Sequence, residues 1–347
     1  MRNVLYFLNG SIGDFLMALF LMENIHMSPN GGDTRLFVVT PRNKKLFQAL
    51  ARAYPYVNLI EASRSTPYGL AVLARFIFTK NIVMLPPTPG TLPLRAKIIA
   101  KLLALMPEST TLGFIGKKGE KEGWFDHGLV FDTSVPYHAT MIALAREAGF
   151  SAVKEKPTFT HKKDTAVLAR YQLTEKNYTV IHPCAATEGR GMYDEELARL
   201  ILAVSEKSGL PVMVTGGTND RERIGGILNG HAFPNAVHNC AGELSVDDLV
   251  NVLAGARWYI GVDTGITHLA SFLRVPTLVI AHHGTPHWLP FYNENAHILY
   301  TVDGCAHNIN EGKGHLEECR TGRVRPLLRV PEGVYMGAVD EFYGSSI

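Results

Sequence analysis

The residues best suited to chemistry lie where an apolar strand pattern meets a helical one. The run Trp258–Val262 is β-prone and stops at Asp263, Thr264 and Gly265, after which helical spacing begins at once. The first turn of such a helix presents unpaired N–H groups and a partial positive charge, which favours a bound phosphate. His268 falls within that turn, where a cationic or neutral imidazole could hydrogen-bond to the same ligand. These residues predict a site that stabilises a departing diphosphate.

A second turn with anion-binding character follows the predicted strand 179–182. Thr187 supplies a hydroxyl, and Arg190, which lies between two glycines, supplies a fixed positive charge. Both groups suit phosphate oxygens. The alternative is an ordinary polar loop with a solvated arginine, and the position directly after a strand favours the anion site.

A third turn follows the predicted strand 212–215 and contains Gly216 and Gly217. Their bare backbone would let a nucleotide approach closely, and Asp220 or Glu222 could accept hydrogen bonds from ribose hydroxyls. The alternative is that both carboxylates complement the dipole of a helix that begins here. The sequence does not distinguish Asp220 from Glu222. Together the three turns predict a nucleotide diphosphate bound by amides, hydroxyls and arginine, without a P-loop or a metal ion.

The first predicted strand, residues 4–8, leads into Gly10, Gly13 and Asp14. Asp14 could stabilise the N-terminus of the following helix by capping and charge. It could also be a carboxylate that acts as a general base at the mouth of a cleft. Spacing alone leaves these two interpretations balanced. The glycines do not form GxGxxG, so the pattern disfavours a nicotinamide-dependent dehydrogenase.

Short apolar runs alternate with helical patterns along the chain, which is typical of parallel α/β architecture. The length of 347 residues suggests two domains, and the polar, proline-containing stretch 151–165 is the predicted junction. We expect two Rossmann-like, doubly wound parallel-sheet domains, residues 1–155 and 165–325, that face each other across a cleft. A C-terminal segment, 326–347, follows them.

The composition indicates a well-packed globular protein. Hydrophobic residues make up 46% of the chain and charged residues 19%, which argues against a disordered protein. The net charge of +2 gives no argument for nucleic-acid binding. No apolar run approaches the ~18 residues of a membrane span. The four cysteines form no disulfide framework, so we expect a cytoplasmic, reduced protein.

The motifs in combination resemble glycosyltransferase family 9, the bacterial heptosyltransferases of the lipopolysaccharide core. The segment Val262–Ala270 carries the strongest similarity. Shorter segments occur in the family's order along nearly the whole chain, namely Gly13-Asp14, His182-Pro183, Gly216-Gly217, residues 241–245, Val275-Pro276 and residues 284–286. The resemblance implies the GT-B fold, inversion at the anomeric carbon, and neither an essential metal nor a cofactor.

The resemblance also implies a role for each matched position. Asp14 would deprotonate the acceptor hydroxyl, and a C-terminal helix, Tyr335–Tyr343, would pack back on the first domain. The implied donor is a nucleotide sugar, with ADP-heptose favoured, and the implied acceptor is an anionic saccharide or glycolipid. The donor-binding residues would be Thr187 and Arg190 for phosphate, Asp220 or Glu222 for ribose, and Asp263, Thr264, Gly265 and His268 for the diphosphate and sugar.

The chain departs from the family beside Arg190. The family usually shows a lysine followed by Trp-Pro, where this chain has Arg190, Gly191, Met192 and Tyr193. Arginine still pairs with phosphate, but the missing tryptophan could reshape the base or sugar pocket. The donor sugar is therefore less well defined by the sequence than the mechanism.

The acceptor is expected to bind the first domain, near Gly13 and the basic residues Arg64, Arg95 and Lys97, although a solvated helix surface explains any one of these charges. A glycolipid acceptor would bring the protein into peripheral contact with the inner face of the cytoplasmic membrane. Trp124, Trp288 and Tyr292 could stack on a base or sugar, or pack in the core. Cys305, His307, His315 and Cys319 match no standard zinc spacing, so no metal is expected.

Two other functions remain open. A sugar-nucleotide 2-epimerase would use a base in the same kind of fold without a saccharide acceptor. A non-catalytic sugar-nucleotide-binding protein would bind the donor without releasing nucleotide, which the presence of both Asp14 and His268 disfavours.

Overall fold

The computed structural model describes residues 2–8, 10–40, 44–61, 76, 79–87, 94–106, 108–115, 125–185, 191–281, 286–300 and 332–345. The chain divides into two compact units, Met1–Pro157 and Thr158–Ile347. This division falls within the stretch 151–165 where the sequence places the domain junction. Each unit contains its own parallel sheet.

The first unit contains a six-stranded sheet in the order β3-β2-β1-β4-β5-β6, with every pair parallel. Its strands are β1 (Arg2–Phe7), β2 (Thr34–Thr40), β3 (Val57–Glu61), β4 (Lys80–Met84), β5 (Ser109–Ile115) and β6 (His127–Val130). The described helices are α1 (Ile12–Met27), α2 (Lys44–Leu50), α3 (Leu94–Ala104) and α4 (Tyr137–Glu147), with a short 3₁₀ turn at Ala51–Ala53.

The second unit repeats this design with the order β12-β11-β10-β7-β8-β9, again all parallel. Its strands are β7 (Thr179–His182), β8 (Val212–Val214), β9 (Val237–Asn239), β10 (Trp258–Val262), β11 (Thr277–Ala281) and β12 (Ala296–Tyr300). Its described helices are α5 (Ala166–Ala169), α6 (Asp194–Ser208), α7 (Arg221–Asn229), α8 (Val246–Gly255), α9 (Gly265–Phe272) and α10 (Glu332–Ser345), with 3₁₀ turns at Thr218–Asp220 and Pro286–Trp288.

The predicted fold class is confirmed, because both sheets are doubly wound. In the first unit the strand order reverses between β1 and β4, and in the second between β7 and β10. Ligands of such sheets bind outside the carboxyl ends of the strands at this switch point. Ligand contacts are therefore expected from the loops that follow β1, β7 and β10.

Local capping rules explain where several helices begin and end. Ser245 Oγ accepts from the N–H of Asp248 at 3.1 Å, and Asp248 Oδ2 accepts from the N–H of Ser245 at 3.3 Å, so the two residues form a capping box at the start of α8. Gly149 and Gly209, which follow the ends of α4 and α6, have φ angles of +82° and +64°. Glycine adopts this left-handed conformation without a steric penalty.

The C-terminal helix α10 packs on α6 and β12 of its own unit. Tyr343 meets Trp258 edge to face with ring centroids 4.5 Å apart, and Lys207 Nζ lies 2.8 Å from Asp340 Oδ1. The expected packing of this helix on the first domain stays a prediction. None of the helices in the described part of the chain is both long and apolar enough to span a bilayer.

Candidate functional site

The start of α9 is fixed to the end of β10 by a chain of buried hydroxyl groups. Thr267 Oγ1 donates to the Val262 carbonyl at 2.6 Å and lies 2.9 Å from the Tyr259 hydroxyl. Because the single proton of Thr267 is used by the carbonyl, Tyr259 is the donor to Thr267. These hydrogen bonds set the direction in which the first amides of the helix point.

The side chain of Tyr259 folds back over the strand, which explains why residue 261 is a glycine. A Cβ atom built at Gly261 would lie 2.4 Å from the Tyr259 hydroxyl oxygen and 2.8 Å from its Cζ. No larger residue fits without displacing Tyr259 from Thr267. Gly261 in β10 thus leaves the space that the Tyr259 side chain needs to reach Thr267 in α9.

Thr264 is the N-cap of α9, but its hydroxyl does not cap the helix. Thr264 Oγ1 lies close enough to Tyr259 to influence its ionisation, yet it makes no hydrogen bond of normal geometry to any described group. The first amides of a helix also lack partners inside the helix. The turn at Thr264 and Gly265 therefore offers backbone donors, with the buried Thr264 hydroxyl beside them, and such helix starts favour a bound diphosphate.

His268 is buried and held by two protein groups. Its Nδ1 lies 2.8 Å from the Tyr292 hydroxyl, and the ring also hydrogen-bonds to the backbone of Trp288. The bond to Trp288 favours the protonated ring, so it is made by a ring N–H to the carbonyl. Nδ1 is therefore the acceptor, and Tyr292 donates to it.

Burial lowers the pKa of His268 to about 4, with a smaller contribution in the same direction from His287 and an opposing one from the bond to Trp288. Of the two states expected from the sequence, the structure favours the neutral imidazole. Both ring nitrogens are occupied by protein groups, so this geometry leaves neither for a diphosphate. In the described contacts, hydrogen bonds of His268 connect α9 to Trp288 and Tyr292. A contact between His268 and the nucleotide-sugar donor stays a prediction.

Asp263 directly follows β10 at the switch point and is only 5% exposed. Burial raises the pKa of Tyr292 well above its ordinary value, Arg274 opposes this, and the charge of Asp263 adds to it. Arg274 Nη1 also donates to the Tyr292 carbonyl at 2.6 Å. Tyr292, 1% exposed, therefore packs in the interior next to Asp263 and His268, whereas Trp288 is partly exposed.

The turn after β8 is built around Asp220. Its Oδ2 accepts from the N–H of Gly217 at 2.8 Å, and a Cβ atom at Gly216 would lie 3.0 Å from the Cβ of Asp220. Asp220 thus supports the turn through its side chain and lies close to the carboxyl end of β8. Glu222 is exposed in the first turn of α7. The ribose contact assigned to one of them stays a prediction.

His182, at the end of β7, also contacts this turn, and no sequence pattern had predicted a role for its side chain. Its Nδ1 lies 3.0 Å from Thr215 Oγ1, and burial lowers its pKa to about 4. Cys184 lies next to Asp220, and burial together with the Asp220 charge raises the pKa of the thiol to about 12. The His182 imidazole and the Cys184 thiol are therefore both neutral near pH 7, and neither provides a positive charge next to Asp220.

Asp14 lies in the first turn of α1, after the end of β1. Ser11, the N-cap, accepts from the Asp14 N–H at 3.0 Å and donates from its hydroxyl to Asp14 Oδ2 at 2.6 Å. The hydroxyl of Tyr137 donates to Asp14 Oδ1 at 3.2 Å. Burial raises the pKa of Asp14, and the bonds from Ser11 and Tyr137 oppose that rise. A partly buried carboxylate with a raised pKa suits a general base.

The sequence missed Tyr137 because it lies 123 positions from Asp14 in the chain. No local pattern connects a helix start at residue 137 with one at residue 14. Gly13 is buried next to Asp14, as α1 requires. Gly10, with φ at +105°, adopts a conformation that favours glycine in the loop between β1 and α1.

Several predicted residues lie outside the described part of the chain. These are Thr187, Arg190, Arg64, Trp124, Cys305, His307, His315 and Cys319. Arg95 and Lys97 belong to α3, but their side chains are not described. Within the described residues, no group of three or more histidine, cysteine or acidic side chains is arranged to hold a metal ion.

Comparison with known proteins identifies the family. A sequence model described as glycosyltransferase family 9 (heptosyltransferase) matches residues 131–317, which is more than half of the chain. The chain belongs to glycosyltransferase family 9. That match includes α9 and the turns after β7, β8 and β10, which carry the candidate donor site.

Individual proteins agree with this assignment. Lipopolysaccharide heptosyltransferase 1 of Escherichia coli strain K12 is 26% identical over 112 residues, which is 32% of this chain and 34% of that protein. The matched region therefore spans about a third of the curated relative's length.

Two solved structures share the fold along almost the whole chain. A family 9 glycosyl transferase from Veillonella parvula DSM 2008 has a TM-score of 0.73 at 15% identity, covering 99% of this chain and 97% of that one. E. coli heptosyltransferase WaaC with ADP has a TM-score of 0.65 at 17% identity, covering 100% of both chains. These likenesses support the GT-B fold.

Proposed function

We propose that this protein is an inverting, metal-independent glycosyltransferase that uses Asp14 as its general base. It transfers a sugar, by preference heptose from ADP-heptose, to a lipopolysaccharide-core or related saccharide acceptor. The observation that carries the proposal is the Asp14 carboxylate at the end of β1, which is partly buried and held by two hydroxyl donors. Membership of family 9 supplies the reaction class.

The mechanism is a single displacement at the anomeric carbon. Asp14 takes the proton of the acceptor hydroxyl while its oxygen attacks, and the sugar passes through an oxocarbenium-like state. The bond to the diphosphate breaks, and negative charge develops on the leaving group. The amides at the start of α9 and the Thr264 hydroxyl stabilise this charge, together with Thr187 and Arg190 from the turn after β7.

The remaining donor residues have supporting roles in this proposal. Asp263 and Gly265 shape the diphosphate and sugar site, and His268 fixes α9 as a neutral side chain. Gly216 and Gly217 leave room for the nucleoside, and Asp220 or Glu222 accepts from its ribose. The acceptor is an anionic saccharide or glycolipid recognised by the first domain near Gly13, with Arg64, Arg95 and Lys97 as its cationic contacts.

The proposal is tested by donor binding and by turnover. Thermal shift should be measured with ADP-, GDP- and UDP-linked sugars, because a bound ligand raises apparent stability by mass action. We expect ADP-heptose to give the largest shift. Nucleotide release is then followed with acceptor saccharides, and Asp14→Asn should lose at least ~100-fold in turnover while still binding nucleotide.

A matched control is Asp33→Asn, which removes an exposed carboxylate from the same unit. It should leave turnover unchanged. Near-normal turnover by Asp14→Asn would exclude Asp14 as the base. Isotope exchange at the second carbon of the sugar without acceptor would point instead to a 2-epimerase, and donor binding with no release for any acceptor would indicate a non-catalytic binding protein.

A further inference from the structure

The carboxylate of Asp14 receives one hydroxyl donor on each oxygen. Ser11, three residues before it in the chain, donates to Oδ2, and Tyr137 from α4 donates to Oδ1 at 3.2 Å. The Ser11 bond is a local consequence of capping α1. The Tyr137 bond is different, because it joins two elements that the chain brings together only when the whole unit has folded.

Tyr137 is placed there by the packing of α4. Pro136 precedes it as the N-cap, and α4 packs along α1, so the first residue of α4 reaches the first turn of α1. The tyrosine is only 3% exposed. Tyr6 of β1, fully buried, lies beside it, and the two phenols and Asp14 influence one another's ionisation.

The environment keeps the Tyr137 phenol protonated. Burial raises its pKa well above the ordinary value, and Tyr6 and Asp14 raise it further. A protonated phenol next to a carboxylate acts as a hydrogen-bond donor at every physiological pH. Its bond stabilises the ionised carboxylate and therefore opposes the effect of burial on Asp14.

We propose that Tyr137 is a positioning residue for the general base: its hydroxyl holds Oδ1 of Asp14 and so sets the direction in which the carboxylate meets an acceptor hydroxyl. The inference rests on the proposed function, since it requires Asp14 to be the base. Tyr137 itself need not touch the substrate. Its effect on the reaction passes through the orientation and the charge of Asp14.

Other titratable groups lie on the elements that pack against α1. Tyr6 faces the pair from β1, and His138 follows Tyr137 in the first turn of α4. The remaining charged groups of β1, β2 and α4 lie at the far ends of these elements, namely Arg2, Arg35, Arg146 and Glu147. Tyr137 is the titratable side chain with a hydrogen bond to Asp14 in the described contacts.

The first test is Tyr137→Phe, which removes one oxygen atom. Without the donor the Asp14 pKa rises, so a larger fraction of the base is protonated near neutral pH. We expect the acid limb of the kcat profile to move up by roughly one pH unit, so kcat measured on that limb, below the pKa of the base, should fall ~10-fold. KM should change little, because the ground-state contacts of the donor are untouched.

A second variant should shift the pH profile in the opposite direction, and it retains the hydroxyl group at position 137. Site-specific 3-fluorotyrosine at position 137 is a stronger donor, so the acid limb should move to lower pH. This variant decides the question if Tyr137→Phe does not fold. An acid limb that stays at the wild-type pH with 3-fluorotyrosine, or in a folded Tyr137→Phe, would overturn the positioning role.

Two control variants distinguish the effect of Tyr137 from a general loss of stability and from the role of Asp14 itself. Tyr178→Phe removes a buried hydroxyl that donates to the Val252 carbonyl at 2.6 Å in the second unit, so it should lower stability without moving the pH profile. Asp14→Asn tests the base itself. Active Asp14→Asn would defeat the proposed function, whereas inactive Asp14→Asn with an unmoved Tyr137→Phe profile would defeat only the role of Tyr137.

Discussion

The Nδ1 atom of His268 accepts a hydrogen bond from the Tyr292 hydroxyl, with the two atoms 2.8 Å apart. Both side chains are buried, and the ring of Tyr292 packs edge to face on Phe272 at 5.2 Å. A histidine in this setting cannot gain a proton without losing an acceptor and exposing charge to an apolar interior. The protonation of His268 is therefore linked to the stability of the second unit.

The first prediction is that acid destabilises the protein through His268. Its pKa is about 4 in the folded chain, below the ~6.5 of an unfolded chain. The unfolded chain thus binds the proton first as the pH falls. The stabilisation is fully present above about pH 6.5 and is lost towards pH 4, by an amount on the order of 3 kcal/mol.

Urea unfolding at a series of pH values between 7 and 4 measures this effect. His268→Gln should be less stable at pH 7 and should show a shallower decline with acid. His231→Gln, which replaces an exposed histidine of the same unit, is the control. Equal slopes for His268→Gln and the wild type would mean that His268 does not carry the acid sensitivity.

Much of this architecture follows from short-range patterns. The run Trp258–Val262 is apolar and the residues after it have helical spacing, so β10 and α9 could be placed from neighbours alone. The capping box at Ser245 and the glycines at 149 and 209 are equally local. Parallel pairing follows from the alternation of strands and helices.

The sequence could not reveal properties that depend on long-range packing. The state of His268 depends on Trp288 and Tyr292, which lie on the segment after β11, so burial and tautomer appear only in the folded unit. Tyr137 reaches Asp14 only because α4 packs on α1. The sequence signal for β5 is also weak, since its polar start at Ser109 and Thr110 obscures the apolar pattern of a strand.

The second prediction contrasts the two threonines at the start of α9. Thr264→Ala should change the free energy of unfolding by less than about 0.5 kcal/mol, because its hydroxyl makes no described hydrogen bond. It should weaken ADP binding ~5–10-fold, since a charge-assisted bond to the diphosphate is lost. Calorimetric titration with ADP measures the second effect.

Thr267→Val is the matched variant, because its hydroxyl bonds to both Tyr259 and the Val262 carbonyl. It should lose about 1–3 kcal/mol of stability, as an unsatisfied buried group is left behind. ADP affinity that is unchanged in Thr264→Ala would remove Thr264 from the diphosphate site.

The third prediction concerns Gly261. Gly261→Ala places a Cβ atom 2.4 Å from the Tyr259 hydroxyl, so the tyrosine must move. Overpacking of this kind costs about 1–3 kcal/mol, and displacement of Tyr259 should also weaken ADP binding through Thr267. Chemical denaturation and ADP titration on the same samples measure both effects.

Two further variants identify the cause of that loss. Gly226→Ala, on α7, meets nothing within 4 Å and should be neutral or stabilising by up to about 1 kcal/mol. Tyr259→Phe combined with Gly261→Ala removes the closest atom of the clash, so part of the loss should return. A double variant that is no better than the additive sum would place the strain elsewhere.

The last prediction is that the ionised carboxylate of Asp14 destabilises the folded protein. Burial raises the pKa of Asp14, so the ionised carboxylate is less favourable in the folded chain than in the unfolded one. Removal of that charge by Asp14→Asn should therefore raise the midpoint of thermal unfolding at pH 7 while turnover is lost. The gain should shrink as the pH falls towards the ordinary pKa of an aspartate, where the wild-type group also becomes neutral. Asp33→Asn, on the surface of the same unit, should give no comparable gain, and a lower midpoint for Asp14→Asn would show that the bonds from Ser11 and Tyr137 outweigh the burial of the charge.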